Sequence, residues 1–169
     1  GGAIGCEMAQ AFSRLGTKCT IVQMDDFLIP NGEKATGDYL KEIFEKEGIE
    51  VYNSRKITEI KKEFGSIALL TEDGLKISSE KLLVAAGKKF NFDPLKLENA
   101  GVEYGKFGIE VDDKYRTSVN HIYAVGDCNG VNLLTHAAMH QGMFAIMNAV
   151  SPRRVFKYSN YITHWTIFT

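Results

Sequence analysis

The chain opens with a glycine-rich turn, GGAIG, whose residue types could hold a phosphate group. A dinucleotide fingerprint, G-x-G-x-x-G, lets the backbone turn tightly and points the N–H groups of a helix start at a pyrophosphate. Gly2 and Gly5 fit its second and third glycines, with Gly1 between the first and second, so the first glycine would precede Gly1. Half a fingerprint is a weak signal, and a flexible terminus is the alternative interpretation.

Gln23 stands about where the fingerprint places the residue that reads the adenosine ribose. An acidic residue there accepts hydrogen bonds from both ribose hydroxyls. A glutamine can also bond to them, and it does not repel a 2′-phosphate. Asp25 and Asp26 follow with no arginine nearby in the sequence, so the pattern favours NAD and leaves NADP open. Individually, the two aspartates are interpreted as solvated loop charges.

Neither metal binding nor disulfide chemistry is expected from the remaining reactive side chains. His136 and His140 are spaced to share one helical face, but no carboxylate motif completes a metal site. The three cysteines, Cys6, Cys19 and Cys128, are odd in number and widely spaced. A reduced, cytoplasmic setting is therefore the default prediction.

The composition is that of an ordinary globular protein, with 44% hydrophobic and 24% charged residues. A chain of 169 residues can form one or two domains and bury a core. The net charge of −1 provides no basic field for nucleic acid or a membrane surface, so neither is an expected partner. No apolar run approaches the length of a membrane span.

The elements that must position these residues alternate in the first third of the chain. Apolar residues at helical spacing predict a helix ending near Gly16; they are Ile4, Met8, Ala11, Phe12 and Leu15. A second amphipathic helix is predicted over residues 33–48, with Ala35, Tyr39, Ile43 and Phe44 on one face. TKCTIVQ (17–23) and IEVY (49–52) are predicted as strands. This alternation predicts an α/β fold with a parallel sheet.

The rest of the chain begins with two-residue alternation, which predicts a small antiparallel meander over RKITEIKKEF, SIALLTEDG and LKISS. EKLLVAAG (80–87) and NHIYAVGD (120–127) are predicted as buried strands, with a short helix around residues 95–100 between them. A helix is predicted over about 134–150. The tail from Ser151 is predicted as a loop followed by a β-prone segment, YITHWTIFT.

In this order, the motifs resemble one family, the flavin-dependent pyridine nucleotide–disulfide oxidoreductases, which includes dihydrolipoamide dehydrogenase, glutathione reductase and mercuric reductase. GGAIGCE is similar to the family's NAD-binding glycine turn, with Glu7 in place of its following glutamate. LLVAAG resembles the strand ending in Ala-Thr-Gly. FGIEVDDKYRTSVNHIYAVGDCNG, followed by LLTHAAMHQG, resembles the second flavin-contacting motif, and NYITHWTIFT is similar to the entry into the interface domain.

The resemblance implies FAD and NAD as cofactors, with NADP possible, and residues that position them without making bonds themselves. The residues implied on the nicotinamide side are Gly1, Gly2, Ile4, Gly5, Glu7, Gln23, Ala86 and Gly87. Those on the flavin side are Gly126, Asp127, Thr135, His136 and Ala137. Asp127 would accept a hydrogen bond from a ribityl hydroxyl, and the following helix would stabilise negative charge on a reduced flavin. The alternative for Asp127 is a cap or turn residue.

The sequence departs from the family pattern at several loops. Ala86 stands where threonine is usual, and Lys88–Asn91 stand where a basic residue, proline and asparagine are usual. Asn120 and the pair Thr163-His164 fall where a proline is common. These differences affect the details of loops more than the family assignment.

The resemblance also predicts a division into cofactor domains. Residues 1–112 would form an NAD(P)-binding domain with a Rossmann-like parallel sheet that lacks its first strand, together with the antiparallel meander. Residues 113–150 would form the second segment of an α/β FAD-binding domain, and 151–169 the start of the interface domain. The other flavin segment is not in this sequence, so we expect a part of a longer protein that forms a homodimer. That protein would pass hydride from NAD(P)H to FAD and on to a disulfide, metal ion or other acceptor. The alternatives are an isolated nucleotide-binding module and an inactive fragment.

Overall fold

The computed structural model describes residues 1–63, 65–151, 153 and 156–169, with Asn160 described by its backbone only. Phe64, at the end of the first predicted meander strand, lies outside the described residues, as do Pro152, Arg154 and Val155 of the predicted tail loop. The described residues form two compact units. One comprises Gly1–Gly87 with Ile167–Thr169, and the other comprises Lys88–Thr166.

The first unit begins with the alternating helices and strands that the sequence predicts. Helix α1 (Ala3–Arg14) precedes strand β1 (Thr20–Val22), and helix α2 (Lys34–Lys46) precedes strand β2 (Glu50–Tyr52). The two strands pair in parallel, with Ile21 opposite Val51. A parallel pair needs a crossover connection, which α2 supplies. The predicted mixed α/β fold with a parallel pair is confirmed.

The residues that α1 buries are not the apolar ones whose spacing predicts the helix. Cys6 and Gln10 are its buried residues, whereas Ile4 and Leu15 are 60% and 81% exposed. Gln10 donates from Nε2 to Glu47 Oε1 at 3.2 Å, so a polar side chain occupies the inner face with a partner. Helical periodicity locates the helix, but the neighbours of the helix in the fold decide which stripe is buried.

The predicted face of α2 is correct in part. Phe44 is buried and Ile43 packs against the core, as predicted, whereas Ala35 and Tyr39 are exposed. Gly37 and Leu40 are the other buried residues of this helix. A Cβ on Gly37 would lie 2.2 Å from the carbonyl oxygen of Leu28, so only glycine permits this contact. The core of the unit then closes around one cluster: Cys6, Ile21, Leu28, Ile29, Leu40, Phe44, Ile49 and Val51.

The predicted antiparallel meander is confirmed. Strands β3 (Ile57–Glu63), β4 (Ser66–Thr71) and β5 (Lys76–Ser79) form a three-stranded sheet in the order β3-β4-β5. The register places Ile60 opposite Leu69 and Leu69 opposite Ile77. Ala68 and Leu69 are buried in the central strand, on opposite faces of the sheet.

Two segments predicted as strands are not strands. Residues 80–87 pair with no other segment among those that the structure describes, and Val84 is 74% exposed. Residues 120–127 contribute one isolated antiparallel bridge, between Arg116 and Tyr123, because the chain folds back over a tight turn. Apolar content favours a strand, but a strand exists only where a neighbouring backbone completes its hydrogen bonds.

The second unit is built from short elements and one long helix. Strands β6 (Tyr104–Gly105) and β7 (Gly108–Ile109) form a small hairpin, and helix α3 covers Thr135–Val150 as predicted. Short 3₁₀ turns occupy Asp93–Leu95, Leu97–Ala100, Asp127–Asn129 and Tyr158–Asn160. Phe92, Val102, Ile109 and Ala124 form the buried cluster. The β-prone tail residues 161–169 form no regular strand.

The compact units do not follow the predicted cofactor domains, which divide the chain after residues 112 and 150. A compact unit is defined by contacts within the chain, whereas the predicted domains are defined by the ligand that each would hold. The two divisions describe different properties, and the cofactor domains stay a prediction. Among the described residues, no helix is long and apolar enough to cross a membrane.

The burial of α2 leads to a stability prediction. Phe44→Ala removes a side chain that is fully buried, and it should lower the free energy of unfolding by about 3–5 kcal/mol. Tyr39→Ala, on the exposed face of the same helix, should change it by less than about 0.5 kcal/mol. Urea denaturation followed by circular dichroism measures both. Equal losses for the two variants would contradict the burial described here.

Candidate functional site

The glycine turn leads directly into α1, whose start is open to an anion. Gly2 is the N-cap residue, with no side chain capping the helix and no acidic residue in its first turn. The Gly1 carbonyl accepts hydrogen bonds from the Ile29 N–H at 2.8 Å and the Cys6 thiol at 3.3 Å. Nothing lies within 4 Å of where a Gly2 Cβ would point. The backbone is therefore fixed on one side and accessible on the other.

Three other predicted nicotinamide-side residues surround this helix start in different ways. Ile4 is exposed, and the Cβ position of Gly5 lies 3.7 Å from the Ala85 methyl group, an ordinary packing distance. Glu7 accepts a hydrogen bond at Oε1 from the Phe168 N–H at 3.0 Å. Glu7 thus has a partner within its own unit, in the last residues of the chain.

Gln23 does not present its side chain outward, as a ribose-reading residue would need to. The residue is 7% exposed, and its Nε2 donates to the carbonyl oxygens of Phe27 and, at 3.4 Å, Asp25. Its side chain also lies against Gly1, because a Cβ there would overlap the Gln23 amide. In this structure Gln23 ties the loop after β1 to the glycine turn, and its proposed contact with ribose stays a prediction.

The loop after β1 lies closer to basic residues than the sequence indicated. The Ser54 and Arg55 N–H groups donate to the Asp25 and Gln23 carbonyls, both at 2.8 Å. A cavity of about 380 Å³ beside the loop is lined by Met24, Ser54, Lys56, Glu72 and Asp73. The Arg55 backbone thus lies beside Gln23, although the two residues are far apart in the sequence, and the Arg55 guanidinium is paired with Asp73 at 3.2 Å. The preference for NAD stays a prediction.

Ala86 and Gly87 lie at the end of the unpaired segment 80–87. Both are exposed, and Gly87 has a φ of +100°, a conformation that side chains rarely adopt. The segment therefore still turns at the predicted glycine, although the strand before it is absent.

The second unit presents Asp127 from a sharply turned backbone. Gly126 is buried, with φ +80° and ψ −157°, a region essentially restricted to glycine. Asp127 follows as the first residue of a 3₁₀ turn, and its side chain is 42% exposed. The carboxylate pairs with Lys88 Nζ at 2.5 Å. Both partners are half-exposed, so this pair contributes little stability and can be exchanged for another donor.

Two buried amide side chains, which the sequence analysis did not single out, form hydrogen bonds to the turn around Gly126. Gln141 Oε1 accepts from the Gly126 N–H at 2.7 Å and from Asn129 Nδ2 at 2.8 Å. Asn129 also donates to the Ala124 carbonyl at 3.0 Å. A signal was present, because Gln141 shares the helical face of Ala137 and Ala145 and so was due to be buried. A buried amide needs partners.

The start of α3, like that of α1, has no side chain that caps its N–H groups. Thr135 is the first helical residue and Leu134 is the N-cap, with no side-chain cap and no acidic residue in the first turn. Ala137 is buried and packs the helix against its unit. His136 is exposed, and its Nε2–H donates to the His164 carbonyl at 2.7 Å.

The two predicted helical histidines are used for packing against the tail of the second unit. His140 stacks on Tyr161, with ring centroids 4.0 Å apart, while His136 bonds to the His164 backbone. Across the described ranges, no group of three or more metal-ligating side chains lies together.

The cysteines lie in environments that suppress thiolate formation. Burial raises the pKa of Cys6 to about 11, and burial also raises the pKa values of Cys19 and Cys128. All three are free thiols. Because the thiolate is the reactive form, none of them is suited to act as a nucleophile near neutral pH.

Comparison with known proteins shows what this chain is similar to in sequence. Residues 1–142 match the family model described as pyridine nucleotide-disulphide oxidoreductase. The chain is 37% identical over 150 residues to a dihydrolipoyl dehydrogenase of Bacillus subtilis (strain 168), covering 88% of this chain and 33% of the relative. It is 35% identical to a soluble pyridine nucleotide transhydrogenase of Vibrio atlanticus (strain LGP32), covering 88% and 32%.

Solved structures agree in fold. LpdA from Mycobacterium tuberculosis superposes with a TM-score of 0.81 at 28% identity, over 88% of this chain and 33% of that one. The Cu(II) complex of the HOCl-induced flavoprotein disulfide reductase RclA from Escherichia coli superposes with a TM-score of 0.86 at 21% identity, over 95% and 36%, and this likeness concerns the fold alone. The chain spans about a third of the length of the relatives that it matches.

Alkylation tests the cysteine environments. With a pKa of about 11, only about a thousandth of Cys6 is thiolate at pH 8, so iodoacetamide should label it more slowly than the partly exposed Cys19. Mass spectrometry of the folded chain measures the labelling of each thiol. The same reaction in urea is the control, where the difference should disappear. Labelling of Cys6 at the rate of Cys19 in the folded chain would contradict the assignment.

Two glycines near α3 allow a matched test of the Asp127 turn. Gly126→Ala places a side chain at a φ of +80° and 3.3 Å from the Ala138 methyl group, so it should destabilise the chain by about 1–3 kcal/mol. Gly142→Ala, within α3 and with open space around its Cβ position, should stabilise it by about 0.5–1 kcal/mol. Urea denaturation measures both, and a neutral Gly126→Ala would show that the turn is not constrained.

Proposed function

This chain belongs to the pyridine nucleotide-disulphide oxidoreductase family, and from that premise we propose that it is part of a longer flavoprotein oxidoreductase. The complete protein would transfer hydride from NAD(P)H to FAD and pass electrons on to a disulfide, a metal ion or another acceptor. The observation that carries the proposal is the turn at Gly126, which presents the Asp127 carboxylate from a fixed backbone next to the open start of α3 in sequence.

The flavin-side residues fit the cofactor that the family implies. Gly126 allows a close approach of the backbone, and the half-exposed Asp127 carboxylate can exchange its ammonium partner for a ribityl hydroxyl. The start of α3 offers free N–H groups without a competing acidic side chain, and these favour negative charge nearby. When bound, a flavin supplies the two-electron chemistry that links a nicotinamide to a further acceptor.

The nicotinamide-side residues fit in part. The uncapped start of α1 and the open space at Gly2 suit a pyrophosphate. Gln23 fits less well, because its amide is buried and bonded within the chain. Ribose contact by Gln23 would need its side chain to leave the Phe27 and Asp25 carbonyls, so we assign Gln23 first to holding the loop after β1. NAD and NADP remain alternatives.

The residues of this chain would bind and orient cofactors without forming covalent bonds to them. The choice of electron acceptor would be made by residues elsewhere in the complete protein. A homodimer and a cytoplasmic location are the further expectations for that protein. The cofactor domains 1–112 and 113–150 and the interface segment 151–169 form part of the same proposal.

Spectroscopy tests the proposed function. The complete protein that contains this chain should purify with flavin absorbance, or acquire it when FAD is added, and NADH or NADPH should bleach that absorbance under anaerobic conditions. Comparing kcat/KM for the two nucleotides decides the coenzyme. A complete protein that neither carries nor binds flavin would overturn the proposal. Tight FAD binding by the 169-residue chain alone would instead favour the isolated-module alternative.

A charge-removing variant tests the role of Asp127. Asp127→Asn in the complete protein should raise the Kd for FAD by about tenfold or more, because hydrogen bonds to charged acceptors are stronger than neutral ones. Asp113→Asn is the matched control, since Asp113 is also a partly exposed carboxylate paired with a lysine, at 2.8 Å. Isothermal titration of the apoprotein measures both. Equal affinities for the two variants would remove Asp127 from the flavin site.

A further inference from the structure

Gln141 lies on the buried face of α3, where a polar side chain is costly unless it is bonded. The residue is 1% exposed, and it shares this face with Ala137, Ala145 and Asn148. An apolar residue would satisfy the helical pattern equally well. The amide is therefore explained by what it bonds to, and both of its described bonds reach the segment that carries Asp127.

The two bonds converge on a single oxygen. Gln141 Oε1 accepts from the Gly126 N–H at 2.7 Å and from Asn129 Nδ2 at 2.8 Å. Asn129 is 7% exposed and continues the connection, because Nδ2 also reaches the Ala124 carbonyl and Oδ1 accepts from the Val131 N–H at 2.9 Å. The backbone from 124 to 131 is thereby tied at three points to two buried amides.

This connection acts at the most freely rotating backbone position of the turn. Gly126 has φ +80° and ψ −157°, a region open to glycine, and glycine loses more conformational freedom on folding than any other residue, so surrounding contacts must fix it. The opposite side of the turn is closed by the β6–β7 hairpin, since a Cβ on Gly130 would lie 1.8 Å from the Phe107 carbonyl oxygen. With both sides fixed, the half-exposed Asp127 carboxylate is the part of the turn left to meet a ligand.

We propose that Gln141 is a positioning residue, which holds the Gly126 backbone through Oε1 so that the Asp127 carboxylate is set in place before the flavin arrives. The inference has two halves. The backbone half, that Gln141 fixes the Gly126 backbone, does not depend on the proposed function. The flavin half, that this places Asp127 for the flavin, rests on the proposed function. The Nε2 group of Gln141 is buried and has no hydrogen-bond partner within the described structure. Oε1 alone therefore carries the role, and a glutamate, which keeps that oxygen, should preserve it.

Hydrogen exchange of the 169-residue chain tests the backbone half without any cofactor. Gln141→Met keeps the length of the side chain and removes the acceptor, so the Gly126 amide should exchange about tenfold faster or more. Gln141→Glu should keep exchange within about threefold of wild type, since its carboxylate accepts the same two bonds. Gln10→Met is the matched control, because Gln10 is a buried helical glutamine of the other unit. Unchanged exchange in Gln141→Met would overturn the inference.

A measurement on the unmodified chain covers the case in which Gln141→Met does not fold. The coupling through the hydrogen bond between the Gly126 amide nitrogen and the Gln141 side-chain carbonyl carbon should be detectable by NMR. Its absence, in a spectrum where backbone couplings of α3 are seen, would also overturn the proposal.

The affinity of the complete protein for FAD tests the second half. The Kd should rise about tenfold in Gln141→Met, because the carboxylate loses its fixed position, and return close to the wild-type value in Gln141→Glu. Faster exchange at Gly126 with an unchanged Kd would contradict the positioning role while leaving the proposed function intact. If the unmodified complete protein binds no FAD, the proposed function fails together with the flavin half, and the exchange data still decide the backbone half.

Discussion

The hydrogen bond from the Gly126 N–H to Gln141 Oε1 is the interaction on which the second unit depends. It joins the long helix α3 to a turn whose other side is closed by the β6–β7 hairpin, through a buried amide oxygen that also accepts from Asn129. Without it, the buried Gly126 N–H would lose the partner that it has in this structure, and an unpaired buried donor is costly. The position of Asp127, and thus any role of this unit at a flavin, follows from that bond.

The first unit meets a related requirement in another way. Its glycine turn is fixed through the Gly1 carbonyl, which accepts from the Ile29 N–H and the Cys6 thiol. Gln23 then packs its amide against Gly1 and bonds to the loop after β1. In both units a buried side-chain amide fixes a loop that we propose to lie at a cofactor. The difference is that Gln141 was absent from the predicted site, whereas Gln23 was included for a different role.

The predicted strands show that the pattern of a single segment is not sufficient to predict whether it forms a strand. IEVY became a strand because TIV lies beside it in parallel, and the meander formed because its three segments pair through short turns. LLVAAG is at least as apolar, yet it has no ladder partner among the described residues. Ladder hydrogen bonds are pairwise, so the composition of one segment cannot determine them.

The sequence by itself determined the elements whose causes are local: the helix after GGAIG, the helix over Thr135–Val150, the meander, and an aspartate following a glycine before the last helix. The family motifs, which are short and collinear, belong to the same class. Tertiary structure decided what depends on residues far apart in the chain. It decided which face of α1 and α2 is buried, that Arg55 lies beside Gln23, and that Gln141 holds Gly126. The physical reason is that periodicity and turn chemistry act within a few residues, whereas burial and hydrogen-bond satisfaction are settled only by the partner that the fold supplies.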